Sequence, residues 1–412
     1  MSILHASLDQ EVLPVPIPGQ RASSEPKTPP SGLRIVRLAN FVMSRSGGLR
    51  TALRNLGEGY RAAGHEPVLV VPGKKAGDEM TSYGRVITLP GTMVPRTGGY
   101  RLMLGRRRLS AVLEELRPDR LEVSDRSTLR WTGDWAKAHG VPSMMVSHES
   151  LAGLLNVWGV PSGAGGRAAD VLNARTARQF DTILCTTAWA AAEFKRIGTP
   201  NLVEVPLGVD LDGFTPKHHD PAIRARFARD DEALLVHCSR LSPEKRPELA
   251  IDALGALLAS GVKASLVVVG DGPRRAALAY KAARLPVRFA GFINDRATVA
   301  GLLASADVAI APGPVETFGL AALEALACGT PVVVNAASAL PEVVGDAGMA
   351  VAGTGAAFAD GVKELLDRPE RERRTAARAR AEQFGWPAAI EGFLRAHGAR
   401  QDTREQRSVA SE

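Results

Sequence analysis

The sequence predicts an α/β protein: two Rossmann-like, doubly wound parallel-sheet domains facing across a cleft. Three observations carry that expectation. Short apolar runs of strand length alternate with helical patterns from Leu33 onward, which implies parallel sheets covered on both faces. The runs fall into two series, separated by a polar connector that opens with Pro206-Leu207-Gly208-Val209-Asp210 and extends to about Asp231. A length of 412 residues with 45% hydrophobic content supplies two sizeable cores and excludes a fibrous or wholly disordered chain.

The elements follow in order. Residues 1–32 hold six of the 27 prolines and no periodicity, and read as a disordered leader. The first domain, residues 33–206, carries the runs Leu33–Leu38, Val68–Val71, Val86–Leu89, Arg120–Val123, Met144–Val146, Thr182–Cys185 and Leu202–Val205. The second, residues 207–384, carries Leu234–His237, Leu266–Val269, Val287–Phe289, Val308–Ala311 and Val332–Val334. Each run is too short for a helix and ends near a turn signal, so each is expected to be a strand. A last helical stretch, Trp386 to His397, lies in a segment 385–399 expected to return to the first domain, and residues 400–412 form a polar tail. Ligands of such sheets sit at the carboxyl ends of the strands, so the cleft is the expected site.

Composition narrows the function. The net charge of +7 suits an anionic partner without identifying one. Aromatic residues are 5%, too few for the stacking platforms of single-strand nucleic-acid binding, so no nucleic acid is expected. Cys185, Cys238 and Cys328 lack metal or redox spacing, which fits a reducing cytosol. No apolar run approaches the ~20 residues of a spanning helix, and no secretory signal is evident. The expected location is cytoplasmic, peripheral at the inner face of the plasma membrane.

Two motifs carry chemistry. In Pro312-Gly313-Pro314-Val315-Glu316-Thr317-Phe318-Gly319-Leu320, a strand ends, a loop carries Glu316 and a helix opens near Gly319. The free amides of Gly319, Leu320 and Ala321 and the positive end of the helix suit a diphosphate. Glu316 can face a sugar, and Glu324 can accept hydrogen bonds from ribose hydroxyls. Their spacing of eight residues is two turns plus about 80° on one helix, so a loop before the helix is needed to bring both to the ligand. The competing reading is a capped helix with solvated acids. In His237-Cys238-Ser239-Arg240-Leu241-Ser242-Pro243-Glu244-Lys245-Arg246-Pro247, Arg240 and Lys245 project from a loop after the first strand of the second domain. Two cations there can stabilise leaving-group charge without a metal, or else they are ordinary surface charges.

The Arg240–Lys245 pair, the Glu-x7-Glu of Glu316 and Glu324, and Gly47-Gly48 together resemble glycosyltransferase family four, retaining enzymes of the GT-B fold that use nucleotide sugars. The resemblance runs from about Leu33 to His397. Within the family it is most similar to the actinobacterial phosphatidylinositol mannoside mannosyltransferases that act on the dimannoside. Ser46-Gly47-Gly48-Leu49-Arg50-Thr51, Glu122-Val123-Ser124-Asp125-Arg126 and Ala311-Pro312-Gly313-Pro314 carry that finer match. The resemblance implies that the first domain takes the acceptor and the second the donor. Gly47 and Gly48 match the loop whose backbone approaches the donor diphosphate. His148 matches the histidine that contacts the transferred sugar, Arg240 and Lys245 the phosphate-binding cations, Glu316 the acid facing the sugar, and Glu324 the acid on the ribose. Gly291-Phe292-Ile293-Asn294-Asp295 matches the segment that meets the base, Ile293 by its backbone and Asp295 by its side chain. A helix cap at Asn294 or Asp295 is the alternative there.

Asp210-Leu211-Asp212 has the Asp-x-Asp spacing of metal-dependent transferases, but it sits in the connector, and a structural turn without metal is expected. Gly270-Asp271-Gly272-Pro273 imitates a dinucleotide fingerprint and is expected to be a tight strand-to-helix turn. On the acceptor side, Tyr100 to Leu109 reads as helical, with Arg106, Arg107 and Arg108 clustered beside apolar residues, a pattern suited to an anionic membrane surface or simply to a solvated helix face. Asn40, Asp125 and Arg126 are candidate acceptor-cleft residues. The expected activity is transfer of a hexose, mannose from GDP-mannose, onto a phosphatidylinositol mannoside-type lipid, with no cofactor beyond the donor and no metal. The alternatives are another donor or acceptor, a nucleotide-sugar epimerase or hydrolase on the same fold, and an inactive peripheral membrane scaffold.

Overall fold

The computed structural model describes residues 32–42, 47–94, 99–148, 150–157 and 162–399. The leader apart from Gly32, the tail from Arg400, and Ser46 of the motifs above lie outside them. In the first domain the strands are β1 (Arg34–Leu38), β2 (Glu66–Gly73), β3 (Gly77–Thr81), β4 (Gly84–Pro90), β5 (Thr92–Met93), β6 (Arg101–Leu102), β7 (Arg120–Val123), β8 (Ser143–Ser147), β9 (Thr182–Cys185) and β10 (Leu202–Glu204). Its helices are α1 (Gly48–Ala62), α2 (Arg106–Leu116), α3 (Trp131–Ala138), α4 (Leu151–Val157), α5 (Ser162–Gln179) and α6 (Ala188–Lys195). The sheet order is β10-β9-β8-β7-β1-β2-β4-β3, parallel except where β3 pairs antiparallel with β4.

The connector contains α7 (Pro221–Ala225). The second sheet holds β11 (Ala233–Cys238), β12 (Ala264–Val269), β13 (Val287–Gly291), β14 (Val308–Ala311), β15 (Val332–Asn335) and β16 (Gly348–Val351), in the all-parallel order β13-β12-β11-β14-β15-β16. Around it lie α8 (Glu248–Ala259), α9 (Arg275–Lys281), α10 (Arg296–Ser305), α11 (Leu320–Ala327), α12 (Leu340–Val344), α13 (Gly355–Asp367), α14 (Glu370–Ala381) and α15 (Trp386–Ala396).

Three departures from the sequence pattern have simple causes. β3 is polar and exposed at a sheet edge, so no apolar run marked it. β5 and β6 form a hairpin of two residues each, which places Arg101–Leu102 in a strand and starts α2 at Arg106, not at Tyr100. β16 is a four-residue edge strand paired with β15 alone, and of its own residues only Gly348 is fully buried, so no apolar run marked it.

The last helix crosses back to the first domain because its apolar face has no other cover. Trp386, Phe393 and Leu394 are buried, each worth about 1.5–3 kcal/mol on leaving water. Ile390 fills the space above Gly59 of α1, where a Cβ would come within 2.3 Å of it. Val209 of the connector pairs with Gly385, so the two crossings run side by side. One apolar cluster extends from Ile35 and Tyr60 through Val209 and Phe214 to Leu234, Leu323 and Phe393, joining both domains.

Beneath α15 lies a buried ionic cluster. Arg37 Nε donates to Glu122 Oε1 at 2.8 Å, Tyr60 OH donates to Glu122 Oε2 at 2.8 Å, and His397 Nε2 lies 3.1 Å from the same oxygen. Arg37 and Glu122 are each 1% exposed. Burial alone would raise the Glu122 carboxyl, but the Arg37 charge and the His397 hydrogen bond outweigh it and hold it far below its ordinary value of 4.5. Because that pKa is depressed on folding, the cluster stabilises the fold above about pH 4.5 and loses that contribution as pH falls below it.

Removing one partner of a buried pair strands the other, so Glu122→Ala is expected to cost about 3–5 kcal/mol in denaturant unfolding at neutral pH. The difference from wild type should shrink as the pH is lowered from about 5 to 3.5. An equal difference across that range would contradict the assigned protonation.

Candidate active site

Strand order reverses at β1, between β7 and β2, and at β11, between β14 and β12. Loops leaving the carboxyl ends diverge at such points and open a crevice. The loops after β1, β7, β11 and β14 therefore gather at one place, and they carry most of the residues singled out above.

Two helix N-termini meet there. Gly48, the first residue of α1, faces Leu320, the first residue of α11; a Cβ on Gly48 would lie 3.5 Å from Leu320 Cδ1. Gly47 and Gly48 are exposed, and Gly47 has φ 125°, a conformation that favours glycine. Gly319 caps α11 with φ 78°, and a Cβ there would meet Leu340 Cδ2 at 2.1 Å, so both conformation and space require glycine. The first amides of each helix have no intrahelical partner, and the two helix starts lie close together across the domains. An anion with two charged centres suits that arrangement.

The cations line the same crevice. Lys245 Nζ donates to Glu316 Oε1, joining the loop after β11 to the loop after β14. Arg240 Nη2 donates to Glu244 Oε1 at 2.5 Å, and its guanidinium lies 4.8 Å from the centroid of the Tyr100 ring of the first domain. A diphosphate in the crevice would compete with Glu316 and Glu244 for these cations. The Gly270-Asp271-Gly272-Pro273 segment is a strand-to-helix turn: the Asp271 carbonyl accepts from Leu241 N and the Leu241 carbonyl accepts from Arg274 N, both at 3.0 Å, bracing the Arg240 loop from below.

Glu324 faces Arg296 at 3.3 Å, which brings the segment after β13, with Ile293, alongside α11. Burial pushes the Glu324 carboxyl up to about 7, partly opposed by Arg296. Ile293 is half-buried against the core. Asp295 caps α10: its Oδ2 accepts from Thr298 N at 2.9 Å and Thr298 Oγ1 at 2.5 Å. The cap reading therefore describes the Asp295 side chain, and a base contact by that carboxylate would have to displace the cap.

His148 follows β8, with Nε2 3.2 Å from Ser124 Oγ. Burial pushes its pKa down to about 4, so the ring is neutral near pH 7. Asn40 and Asp125 are not cleft-surface residues. Asn40 is 0% exposed; it donates to Asp125 Oδ2 and Thr128 Oγ1 and accepts from Met103 N, while Asp125 also accepts from Ser127 and Thr128. They fix the wall from inside, because short polar side chains after β1 and β7 satisfy one another there. Arg126 is likewise buried, against Asn173 and Glu193. Asp210 makes a turn, its Oδ1 accepting from Gly213 N at 2.8 Å.

Arg106, Arg107 and Arg108 are exposed in the first turn of α2, with the Arg106 guanidinium 5.6 Å from the centroid of the Trp131 ring. Cations at a helix N-terminus oppose its dipole, so this cluster does not serve the helix. Leu104 and Met93 beside it are 53% and 58% exposed. Tyr100, Glu244 and Arg296 had no signal in the sequence; each acquires its role only from a partner distant along the chain or from local loop shape.

Residues 220–382 match the family model described as glycosyl transferases group 1, and residues 47–208 match the glycosyl transferase 4-like domain. The chain is 52% identical over 372 residues to the GDP-mannose-dependent alpha-(1-6)-phosphatidylinositol dimannoside mannosyltransferase of Mycobacterium tuberculosis, covering 89% of this chain and 96% of that one. It is 29% identical over 307 residues to a GDP-mannose-dependent alpha-mannosyltransferase of Mycolicibacterium smegmatis, covering 73% and 79%. Among solved structures, the sucrose-phosphate synthase of Thermosynechococcus elongatus superposes with a TM-score of 0.71 at 21% identity, covering 89% of this chain and 98% of that one; this shows the shared fold.

The His148 ring is expected to titrate near pH 4 when followed by NMR of its carbon-bound protons. A midpoint near 6.5 would contradict its burial against the wall of the first domain.

Proposed function

The chain belongs to glycosyltransferase family four and has the GT-B fold, and we propose that it transfers mannose from GDP-mannose to a phosphatidylinositol mannoside. The observation that carries the reading is the gathering of Arg240, Lys245, Glu316 and the N-termini of α1 and α11 at one interdomain crevice. The choice of donor and acceptor is supported by the 52%-identical relative.

The guanidinium of Arg240 and the ammonium of Lys245 hold the diphosphate, with the amides at Gly48 and Leu320 completing the cradle. Their interactions strengthen as negative charge develops on the leaving group, which lowers the barrier. Two cations and two helix ends supply that stabilisation without a metal ion. Neutral His148 can donate or accept a hydrogen bond with a sugar hydroxyl, and Glu316 accepts from others, so the two orient the sugar. The acceptor hydroxyl approaches the anomeric carbon from the face on which the diphosphate leaves. Its oxygen forms the new bond as the bond from the anomeric carbon to phosphate oxygen breaks, and its proton passes to that phosphate oxygen. Configuration is retained, and no protein base is required. The exposed arginines of α2, with Leu104 and Met93, dock the protein on an anionic membrane where the lipid acceptor resides. Among the described residues no helix is long and apolar enough to cross a membrane.

Arg240→Ala and Lys245→Ala are each expected to lower mannose transfer by on the order of 10²–10³-fold, measured with GDP-mannose and a mycobacterial-type lipid extract. Undiminished transfer would contradict the assignment. GDP affinity should rise by up to about tenfold between pH 6 and pH 8 relative to Glu324→Gln, because the ionised carboxylate accepts from both ribose hydroxyls in charge-assisted bonds whereas protonation turns one of its oxygens into a donor. A pH profile unchanged by that substitution would remove Glu324 from the ribose. Neutralising Arg106, Arg107 and Arg108 together should weaken binding to anionic vesicles by about 1 kcal/mol per cation, with added salt weakening the wild type in the same way. Equal sedimentation of the variant with vesicles would refute the docking surface.

A further inference from the structure

His148 belongs to one domain and Glu316 to the other, yet both must meet the same sugar. Thr317, next to Glu316, connects them. Its hydroxyl donates to the main-chain carbonyl of His148 at 2.7 Å. Its own carbonyl accepts from the hydroxyls of Thr187 at 2.9 Å and Thr186 at 3.4 Å. Thr317, Thr186 and Thr187 are all buried, so water does not substitute readily for these bonds. The same contact continues outward through α12. Glu342 accepts from the amides of Ala188 at 2.9 Å and Trp189 at 3.1 Å, while Thr187 accepts from Ala190 at 3.1 Å. The first three amides of α6 are thus capped, two of them by a carboxylate from the opposite domain.

We propose that Thr317 is a positioning residue for transfer: by joining the His148 carbonyl to the Glu316 loop it sets the spacing of the two sugar-orienting side chains, with Glu342 holding the domains in that register. The proposal rests on the transferase reading above. It differs from a donor-binding role because Thr317 is hydrogen-bonded to His148, Thr186 and Thr187 and not to the diphosphate cations or the ribose acid. Loss of its hydroxyl should therefore spare donor binding and impair the chemical step. Misplacement by about 1 Å is enough to cost up to 10²-fold in rate.

The test compares wild type, Thr317→Val, Thr317→Ser and Glu342→Ala for GDP affinity by calorimetry and for kcat and KM in mannose transfer, with thermal melts as a check of folding. Thr317→Val is expected to lose about tenfold or more in kcat, with the GDP Kd within about twofold of wild type. Thr317→Ser should restore kcat, since it returns the donor. Glu342→Ala should lower kcat by several-fold, also without change in GDP affinity. An active wild type with Thr317→Val at full kcat, or with Thr317→Ser as impaired as Thr317→Val, overturns the positioning role alone. Should Thr317→Val fail to fold, Glu342→Ala with unchanged kcat overturns it. A wild type that transfers sugar from no nucleotide donor overturns both this proposal and the reading beneath it.

Discussion

Two helix N-termini brought face to face are the constraint on which this structure depends. Gly48 and Leu320 approach across the domains, and each begins a helix whose first amides lack intrahelical acceptors. Like ends of two dipoles at this distance repel, so an anion between them is stabilised from both sides. The rest of the site follows. Lys245 and Arg240 add full charges, each held in reserve by a carboxylate, and Glu324 and Ile293 stand farther along α11 and the neighbouring loop. The chemistry is placed by topology: both sheets reverse order where these helices start.

The two domains are joined by more than the connector. α15 returns to α1, the apolar core is continuous across the junction, and the Glu122 cluster ties His397 to the centre of the first sheet. Arg120 Nε also donates to the His397 carbonyl at 2.6 Å. These contacts fix one side of the cleft. Beside Pro206 and Phe384, where the chain crosses between the domains, Thr317, Thr187 and Glu342 add hydrogen bonds between them.

Much of this was legible from residue order. The runs of β7, β9 and β14 carried their own boundaries, and that of β1 came within one residue, because buried parallel strands are mostly apolar. The loop-then-helix reading of Glu316, Gly319 and Glu324 followed from helical geometry and from a glycine at the cap. What stayed hidden depended on contacts far apart in sequence. Arg37 and Glu122 look like surface charges until the fold pairs them. Asn40 and Asp125 look like ligand-facing residues until the wall closes over them. Tyr100 sits beside a hairpin of two-residue strands, too short to show periodicity, and it meets Arg240 only through the second domain. β3 and β16 lie at sheet edges, where one neighbour and partial exposure remove the apolar signature.

The most direct test of the central claim is a crystal structure of the protein with GDP. The account predicts both phosphates between the starts of α1 and α11, with oxygens about 3 Å from the leading amides and from the Lys245 ammonium and Arg240 guanidinium. A diphosphate bound elsewhere, with Lys245 still paired to Glu316 and neither helix end in contact, would contradict it.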